Sequence, residues 1–346
     1  MADVEQMLGV EVPLIQAPMA GSQDSRLAIA VADAGGLGSL PTAMMSPDTL
    51  QSEVAAIRAA TSAPFNLNFF CHEPPAADAA REEAWRARLA PFYRELGVDE
   101  SAIPDGPVRA PFTHAIADLL DSDPPGVVSF HFGLPAPDLL ARVKRWGAVV
   151  LSSATTVEEG QWLEANGADI VIAQGLEAGG HRGMFLTADI ATQVGTFALV
   201  ERLAATLTVP VVAAGGISTP RGVRAALALG AAGVQSGTAF LLAAEATTVP
   251  LHRAALSSAH AGTTAITHLF TGRPARGIVN RLMRELGPMG GAPPDFPLAG
   301  AAVMPLRTAA EDRGSSDFSP LWAGQNAATC RETTAAEVVR VLGAEL

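Results

Sequence analysis

The seven residues Glu177-Ala178-Gly179-Gly180-His181-Arg182-Gly183 hold the clearest chemical signal in the chain. They follow an apolar run at 169–174 that reads as a buried strand. Paired glycines just after a parallel strand let backbone N–H groups approach an anion closely. A histidine in the same loop brings a proton donor or acceptor to whatever the glycines hold. The competing reading is a plain tight turn with a surface histidine. Arg182 reads either as the partner of a carboxylate or as a solvated rim charge.

Other polar groups occupy comparable places. Gln16-Ala17-Pro18-Met19 ends one apolar run, Asn66 and Asn68 lie in another, and His131-Phe132-Gly133 ends a third. Ser152-Ser153, Gln174-Gly175, Ala214-Gly215-Gly216 and Gln235-Ser236-Gly237-Thr238 end four more. Amides and hydroxyls inside apolar strands cost free energy unless partnered, so seven such ends together imply a polar ligand at one face. Gly215 and Gly216 bring N–H groups close. Gly237-Thr238 is expected to open a helix whose N-terminus favours the same anion by roughly 0.3–1 kcal/mol. Asn68, Gln174 and Gln235 offer donors and acceptors to the edge of a ring. The alternative is that these amides only tie strand ends together. Of the seven histidines, only His131 and His181 fall at predicted strand ends; His72 follows one and reads as rim.

The elements that must position these groups alternate along the chain. Eight strand segments are predicted at 14–17, 37–40, 65–70, 127–132, 148–154, 169–174, 209–214 and 233–237. They are β-branched or continuously apolar, as strands buried on both faces should be. Helical patterns lie between them at 25–34, 47–60, 137–146, 156–166, 195–207 and 219–229. Thr156 before Glu159, and Ser218-Thr219-Pro220 before Val223, are helix-start signals. Eight strand–helix units in series predict a (β/α)8 TIM barrel, whose active site gathers at the C-terminal ends of the strands. A doubly wound open sheet is the runner-up, but no glycine-rich dinucleotide fingerprint follows the first strand.

Two regions exceed a minimal barrel. The predicted organisation is therefore a barrel of residues 1–70 and 127–270, a helical insertion at 71–126 with a helix at 76–96, and an extension at 271–346. The extension reads as Pro/Gly-rich loops followed by a short helix from Thr334, capping the barrel mouth.

Composition narrows the function classes. The 346 residues are 49% hydrophobic with a net charge of −12 and no Lys/Arg cluster, which makes nucleic acid and anionic membranes poor partners. Cys71 and Cys330 lie far apart and outside any metal-ligand spacing, so neither a disulfide framework nor a metal site is expected. The start of the chain has no signal-peptide pattern. The apolar stretch 225–246 is interrupted by glycines and reads as helix–strand–helix rather than a membrane span. A cytoplasmic enzyme acting on a small molecule, as monomer or homodimer, is the expectation.

At this point the chain resembles the class I nitronate monooxygenases. The resemblance rests on Gln16-Ala17-Pro18-Met19-Ala20-Gly21, Pro64-Phe65-Asn66-Leu67-Asn68, Ser129-Phe130-His131-Phe132-Gly133 and the stretch from Ala173 to Gly183. It continues with Ala213-Ala214-Gly215-Gly216-Ile217, Gln235-Ser236-Gly237-Thr238, Thr271-Gly272-Arg273, Ala275-Arg276-Gly277 and Trp322-Ala323-Gly324-Gln325. It covers nearly the whole chain in order. The resemblance implies a barrel that binds FMN without a covalent bond and oxidises alkyl nitronates, such as propionate 3-nitronate, with O2 to carbonyl compounds and nitrite. It implies catalytic roles for His181 and His131. Together with the strand-end reading, the expected cofactor-binding set is Ala17, Pro18, Met19, Asn68, Gln174, Gly179, Gly180, Gly215, Gly216, Gln235, Ser236, Gly237 and Thr238. The chain departs from the family in its tyrosines. It has one, Tyr93, while His252 and Phe296 stand where the family carries tyrosines. Those departures bear on the substrate rather than on the FMN set.

Three other readings remain at this stage. One is an NAD(P)H-dependent FMN reductase of the enoyl-thioester or quinone reductase type. Another is a purine-nucleotide dehydrogenase barrel, which needs a cysteine after the sixth strand that this chain lacks. The third is a flavin-binding protein without turnover.

Overall fold

The computed structural model describes residues 3–99, 103 and 109–346. In chain order the strands are β1 (Leu14–Gln16), β2 (Gly38–Pro41), β3 (Phe65–Phe70), β4 (Val127–His131), β5 (Val149–Ala154), β6 (Ile170–Gln174), β7 (Gly180–His181), β8 (Val211–Ala214), β9 (Gly233–Ser236), β10 (Thr264–Thr267) and β11 (Ala275–Ile278). Eight of them form one parallel sheet in the order β1-β9-β8-β6-β5-β4-β3-β2. The ends of that row meet. Leu37 N–H donates to the Leu14 carbonyl at 2.9 Å and Gln16 N–H to the Leu37 carbonyl at 3.0 Å, which closes the barrel. The (β/α)8 expectation holds. The two-residue β7 stays outside the barrel and pairs with β11, which pairs with β10.

Local sequence explains the ring of helices. Ser46 caps Pro47–Ala60 by accepting from Thr49 N–H, with proline at the first helical position. Thr156 caps Val157–Ala165 through Glu159 N–H at 3.2 Å, and Thr219 caps Pro220–Ala228 through Gly222 N–H. The helix at Thr196–Thr206 has only Gly195 as its own cap. Glu177, from the Gly-Gly-His loop, supplies the missing acceptor to Thr196 N–H at 2.8 Å.

Period-2 alternation gives the barrel its interior. Leu67 and Phe69 of β3, Val128 and Phe130 of β4, and Val171 and Ala173 of β6 point outward into the helices. Val127, Leu151, Ile170, Ile172 and Val212 point inward and meet Val4 and Leu8 of the short N-terminal helix, which plugs the lower end. Two residues beyond Val127, Leu151 and Ile172 the inward positions turn polar, at Ser129, Ser153 and Gln174, and His131 and Gln235 join them at the mouth. Apolar filling at one end and polar groups at the other define the mouth.

The remaining segments form a second core. Helix Ala79–Leu96 of the insertion packs on helix Ala299–Glu311 through Trp85, Leu89, Tyr93, Ala302, Val303 and Leu306. Tyr93 donates its hydroxyl proton to the Ala302 carbonyl at 2.6 Å. The extension was expected to be loops before Thr334, yet it contains this 13-residue helix and a shorter one at Arg281–Leu286. Pro305 inside the sequence obscured the longer helix. The last helix, Ala335–Gly343, does not cover the mouth. Its Ala335, Val338, Val339 and Leu342 join Leu27, Val31 and Val223 in the outer layer of the barrel. Residues 100–102 and 104–108 of the expected insertion lie outside the described residues.

Candidate active site

The mouth holds one large cavity, with about 1380 Å³ of empty space that is partly open to solvent. All thirteen residues expected around the cofactor line it, as do His131 and His181. Sequence-distant strand ends therefore converge on a single site, as the barrel topology requires.

Its two sides differ in chemistry. At the ends of β8 and β9 the wall is backbone. Gly216, which lines the cavity, has φ +68°, a left-handed conformation that favours glycine. The N–H groups of Gly216, Gly237 and Thr238 have no hydrogen-bond partner among the described residues. Asn326 steadies this wall by donating to the Gly216 carbonyl at 3.1 Å and the Ser218 hydroxyl at 2.9 Å. A Cβ on Gly237 would lie 3.2 Å from Ala17 Cβ and 3.5 Å from Met19 Sδ, so the β1 and β9 loops approach closely there. The helix expected to start at Gly237-Thr238 is instead a three-residue 3-10 turn, Thr238–Phe240. It is too short to carry much of a macrodipole, so any attraction for an anion there rests on its free N–H groups.

The opposite side is built from side chains. His181 sits on β7, paired with Ala275 of β11, so the extension fixes its place. Its carbonyl accepts from Gln174 Nε2 at 2.9 Å and from His131 Nε2 at 3.2 Å. A carbonyl only accepts, so His131 carries its proton on Nε2, and its Nδ1 accepts from the Ser153 hydroxyl at 3.1 Å. His131 thus holds the loop, and both its ring nitrogens are occupied. The His181 ring bonds through Nε2 to the Thr271 hydroxyl at 3.0 Å. That hydroxyl serves as donor or acceptor, so the second His181 nitrogen can offer either a lone pair or an N–H. Both imidazoles are neutral near pH 7. Burial holds His181 well below the usual imidazole range, helped by Arg109, His131, Arg273 and His72, and burial pushes His131 down to about 3.

Phe132 follows His131 with φ +71°, which for a bulky residue costs roughly 1–3 kcal/mol. Packing holds it there: the Arg273 guanidinium lies 3.9 Å from its ring centroid, and Phe70 and Phe296 flank it. Phe296 and Trp322 stand 5.3 and 5.5 Å from the His181 ring.

Several sequence readings need correction. Arg182 is neither a carboxylate partner nor a rim charge. It is 0% exposed and donates to the carbonyls of Gln174 at 2.6 Å and Gly175 at 2.7 Å, and to Gln193 Oε1. Gln174 spends its amide on the loop, accepting from Gly183 N–H at 2.7 Å while donating to the His181 carbonyl, so it is not free to read a ring edge. Asn68 donates to Ser129 Oγ at 2.9 Å, and Asn66 joins Ser39 and Ser129. Of the three expected ring readers, only the Gln235 side-chain amide has no hydrogen-bond partner among the described residues, and it lines the cavity. His72 is buried rather than on the rim. Arg109 was missed: it lines the cavity from the insertion, where no pattern in the sequence marks it. Asn326 was likewise missed.

With this geometry in view, comparison with known proteins decides the family. The nitronate monooxygenase profile matches residues 3–345. The chain belongs to the nitronate monooxygenase family. It is 44% identical to a nitronate monooxygenase of Pseudomonas aeruginosa over 99% of this chain and 98% of that one. A crystal structure of nitroalkane oxidase from Streptomyces ansochromogenes superposes with a TM-score of 0.91, at 38% identity, over 100% of this chain and 98% of that one. FabK from Thermotoga maritima is more distant, at 26% identity and a TM-score of 0.73, over 100% of this chain and 96% of that one. The family is one of flavin-dependent oxidoreductases. No helix among the described residues is long and apolar enough to cross a membrane.

Proposed function

We infer that this protein oxidises nitronates with O2 to carbonyl compounds and nitrite, using FMN held non-covalently in the barrel mouth. The observation that carries this reading is the pairing, within one cavity, of a backbone anion cradle with a neutral histidine. The cradle passes a simple test of fit. Three unpartnered N–H groups suit a phosphate, and the free Gln235 amide suits the polar edge of a flavin ring. Gly215, Gly216, Gly237 and Thr238 would hold the phosphate; Ala17, Pro18, Met19, Asn68, Gly179 and Gly180 would surround the ring. When bound, FMN supplies the electron transfer and the reaction with dioxygen.

The chain's own residues do the rest. A nitronate is already a carbanion equivalent, so no strong base is needed. His181 hydrogen-bonds the nitro-group oxygens or, with its free ring nitrogen, accepts a proton from a neutral nitroalkane. His131 and Gln174 hold the His181 backbone, and Thr271 holds its ring, so the imidazole is positioned before substrate arrives. Trp322, Phe296 and Phe132 exclude water around it. Cys71 and Cys330 are free thiols, which supports a reducing, cytoplasmic setting.

The test is an anaerobic absorbance titration of the purified holoprotein with propionate 3-nitronate, with NADH and NADPH in parallel samples. Bleaching by the nitronate alone, reversed by air with nitrite released, is the expected result. Reduction only by a nicotinamide would move the protein to the FMN reductases.

A further inference from the structure

Arg109 is the only Lys or Arg side chain among the residues lining the cavity. It forms no ion pair or side-chain hydrogen bond among the described residues, although the chain carries 35 acidic against 23 basic residues. The acids nearest the site are committed elsewhere. Glu177 bonds Thr196, Glu159 bonds Thr155 and Phe185 N–H, Asp295 pairs with Arg81 at 2.7 Å, and Glu311 pairs with Arg307 at 2.7 Å. The guanidinium instead lies over the Phe296 ring, 5.8 Å from its centroid. Phe296 in turn packs on His181 at 5.3 Å, so one ring separates the arginine from the histidine. Burial and the nearby Arg307 lower Arg109 only to about 10, so it is a cation at neutral pH. His72, buried beside the same ring at 4.8 Å, has an unpartnered Nδ1.

A half-buried cation with no partner among the described residues favours an anion that completes it. The cofactor phosphate is badly placed to do so. Residues 110–112 are tied to the ends of β2 and β3: Ala110 N–H donates to the Ala43 carbonyl at 3.1 Å and Phe112 N–H to the Phe70 carbonyl at 2.8 Å. In the closed barrel β3 lies four places from β8 in either direction, so Arg109 enters the mouth across from the glycine cradle. The mouth therefore has two anion-seeking places, on opposite sides of the reaction centre.

We propose that Arg109 is a specificity-determining residue that binds a carboxylate at the far end of the nitronate, selecting acid-tailed nitronates over those with alkyl tails. This rests on the nitronate oxidation proposed above. The guanidinium fork matches a carboxylate through two N–H donors, while the Phe296 face holds it in place.

The test uses the holoenzyme and two substrates, propionate 3-nitronate and propyl 1-nitronate, with kcat and KM measured for wild type, Arg109→Met and Arg109→Lys. In Arg109→Met, the ratio of kcat/KM for the acid-tailed to the alkyl substrate is expected to fall about 10- to 100-fold, mainly through KM, the size of a lost charge-assisted contact. Arg109→Lys should recover part of the ratio. Malonate, an unreactive dianion, should bind wild type in calorimetry and bind Arg109→Met at least about tenfold more weakly. A ratio that moves less than about threefold, or unchanged malonate binding, overturns the role of Arg109. Wild type that oxidises neither nitronate overturns the functional reading itself, and with it this proposal.

Discussion

The two sides of the cavity solve recognition in opposite ways. At β8 and β9 the wall is main chain, and its specificity comes from N–H groups that only glycine-rich loops expose. Across the mouth the wall is side chain: His181, Trp322 and Arg109, backed by Phe132 and Phe296, brought from five separate stretches of sequence. The backbone side is rigid and generic, suited to a cofactor shared across a family. The side-chain side can change residue by residue, and the departures from the family, His252 and Phe296, fall near it.

The sharpest way to break that contrast is His181→Asn. The loop is held through the His181 carbonyl, which the substitution keeps, so flavin content should stay at the wild-type level. Turnover of propionate 3-nitronate should fall about 10²- to 10⁴-fold. A variant with near-normal rates would remove the imidazole from the chemistry, and one that purifies colourless would show that the two sides are not separable.

Arg182 joins the sides, because the carbonyls it holds lie between the histidine loop and the Gly215 turn. Arg182→Met should lower unfolding stability by about 3 kcal/mol, since two buried carbonyls lose their donor. Chemical denaturation reads this directly. A loss under about 0.5 kcal/mol would mean that water replaces the guanidinium without penalty.

Gly216→Val tests the backbone side. A β-branched residue at φ +68° is strained by roughly 1–2 kcal/mol, so FMN affinity should weaken by about 10- to 30-fold. With the cofactor added in excess, kcat should recover. A permanently lowered kcat with normal FMN affinity would reverse the assignment of the two sides.

The mildest test is pH. Burial lowers His131 to about 3 and His72 and His252 to about 4, with His181 also well below its usual range. The unfolded chain takes up these protons near pH 6.5 while the folded chain does not. Stability is therefore fully present above pH 6.5 and is lost as pH falls from there toward 4, by up to about 1.4 kcal/mol per unit for each histidine. Thermal midpoints between pH 7.5 and 5 should fall in wild type and fall less steeply in His72→Phe. Parallel slopes would show that His72 titrates normally.

Much of this contrast was legible in the sequence, but unevenly. The barrel strands are apolar on both faces, and the structure places all eight within two residues of their predicted bounds at both ends. Glycines advertised the backbone side because only they adopt its dihedrals. His181 stood out because its loop follows a strand end. Arg109 carried no signal, since its place is set by residues 110–112 pairing with strands that are distant in sequence. Arg182 misled for a related reason. A charge beside glycines reads as surface until the carbonyls around it are known. Helix Ala299–Glu311 was hidden by Pro305 and is held by its contact with Ala79–Leu96, a partner two hundred residues earlier.

The last helix has a consequence for how the protein is made. Ala335–Gly343 seals the outer layer between Ser25–Asp33 and Pro220–Ala228, yet in sequence it is separated from β9 by β10, β11 and the helices Arg281–Leu286 and Ala299–Glu311. The ring cannot be completed until Ala335–Gly343 has been made, long after β9. Until then the apolar flanks of Ser25–Asp33 and Pro220–Ala228 stay uncovered, a surface for chaperones to hold and the point where a truncated product would be recognised as unfinished.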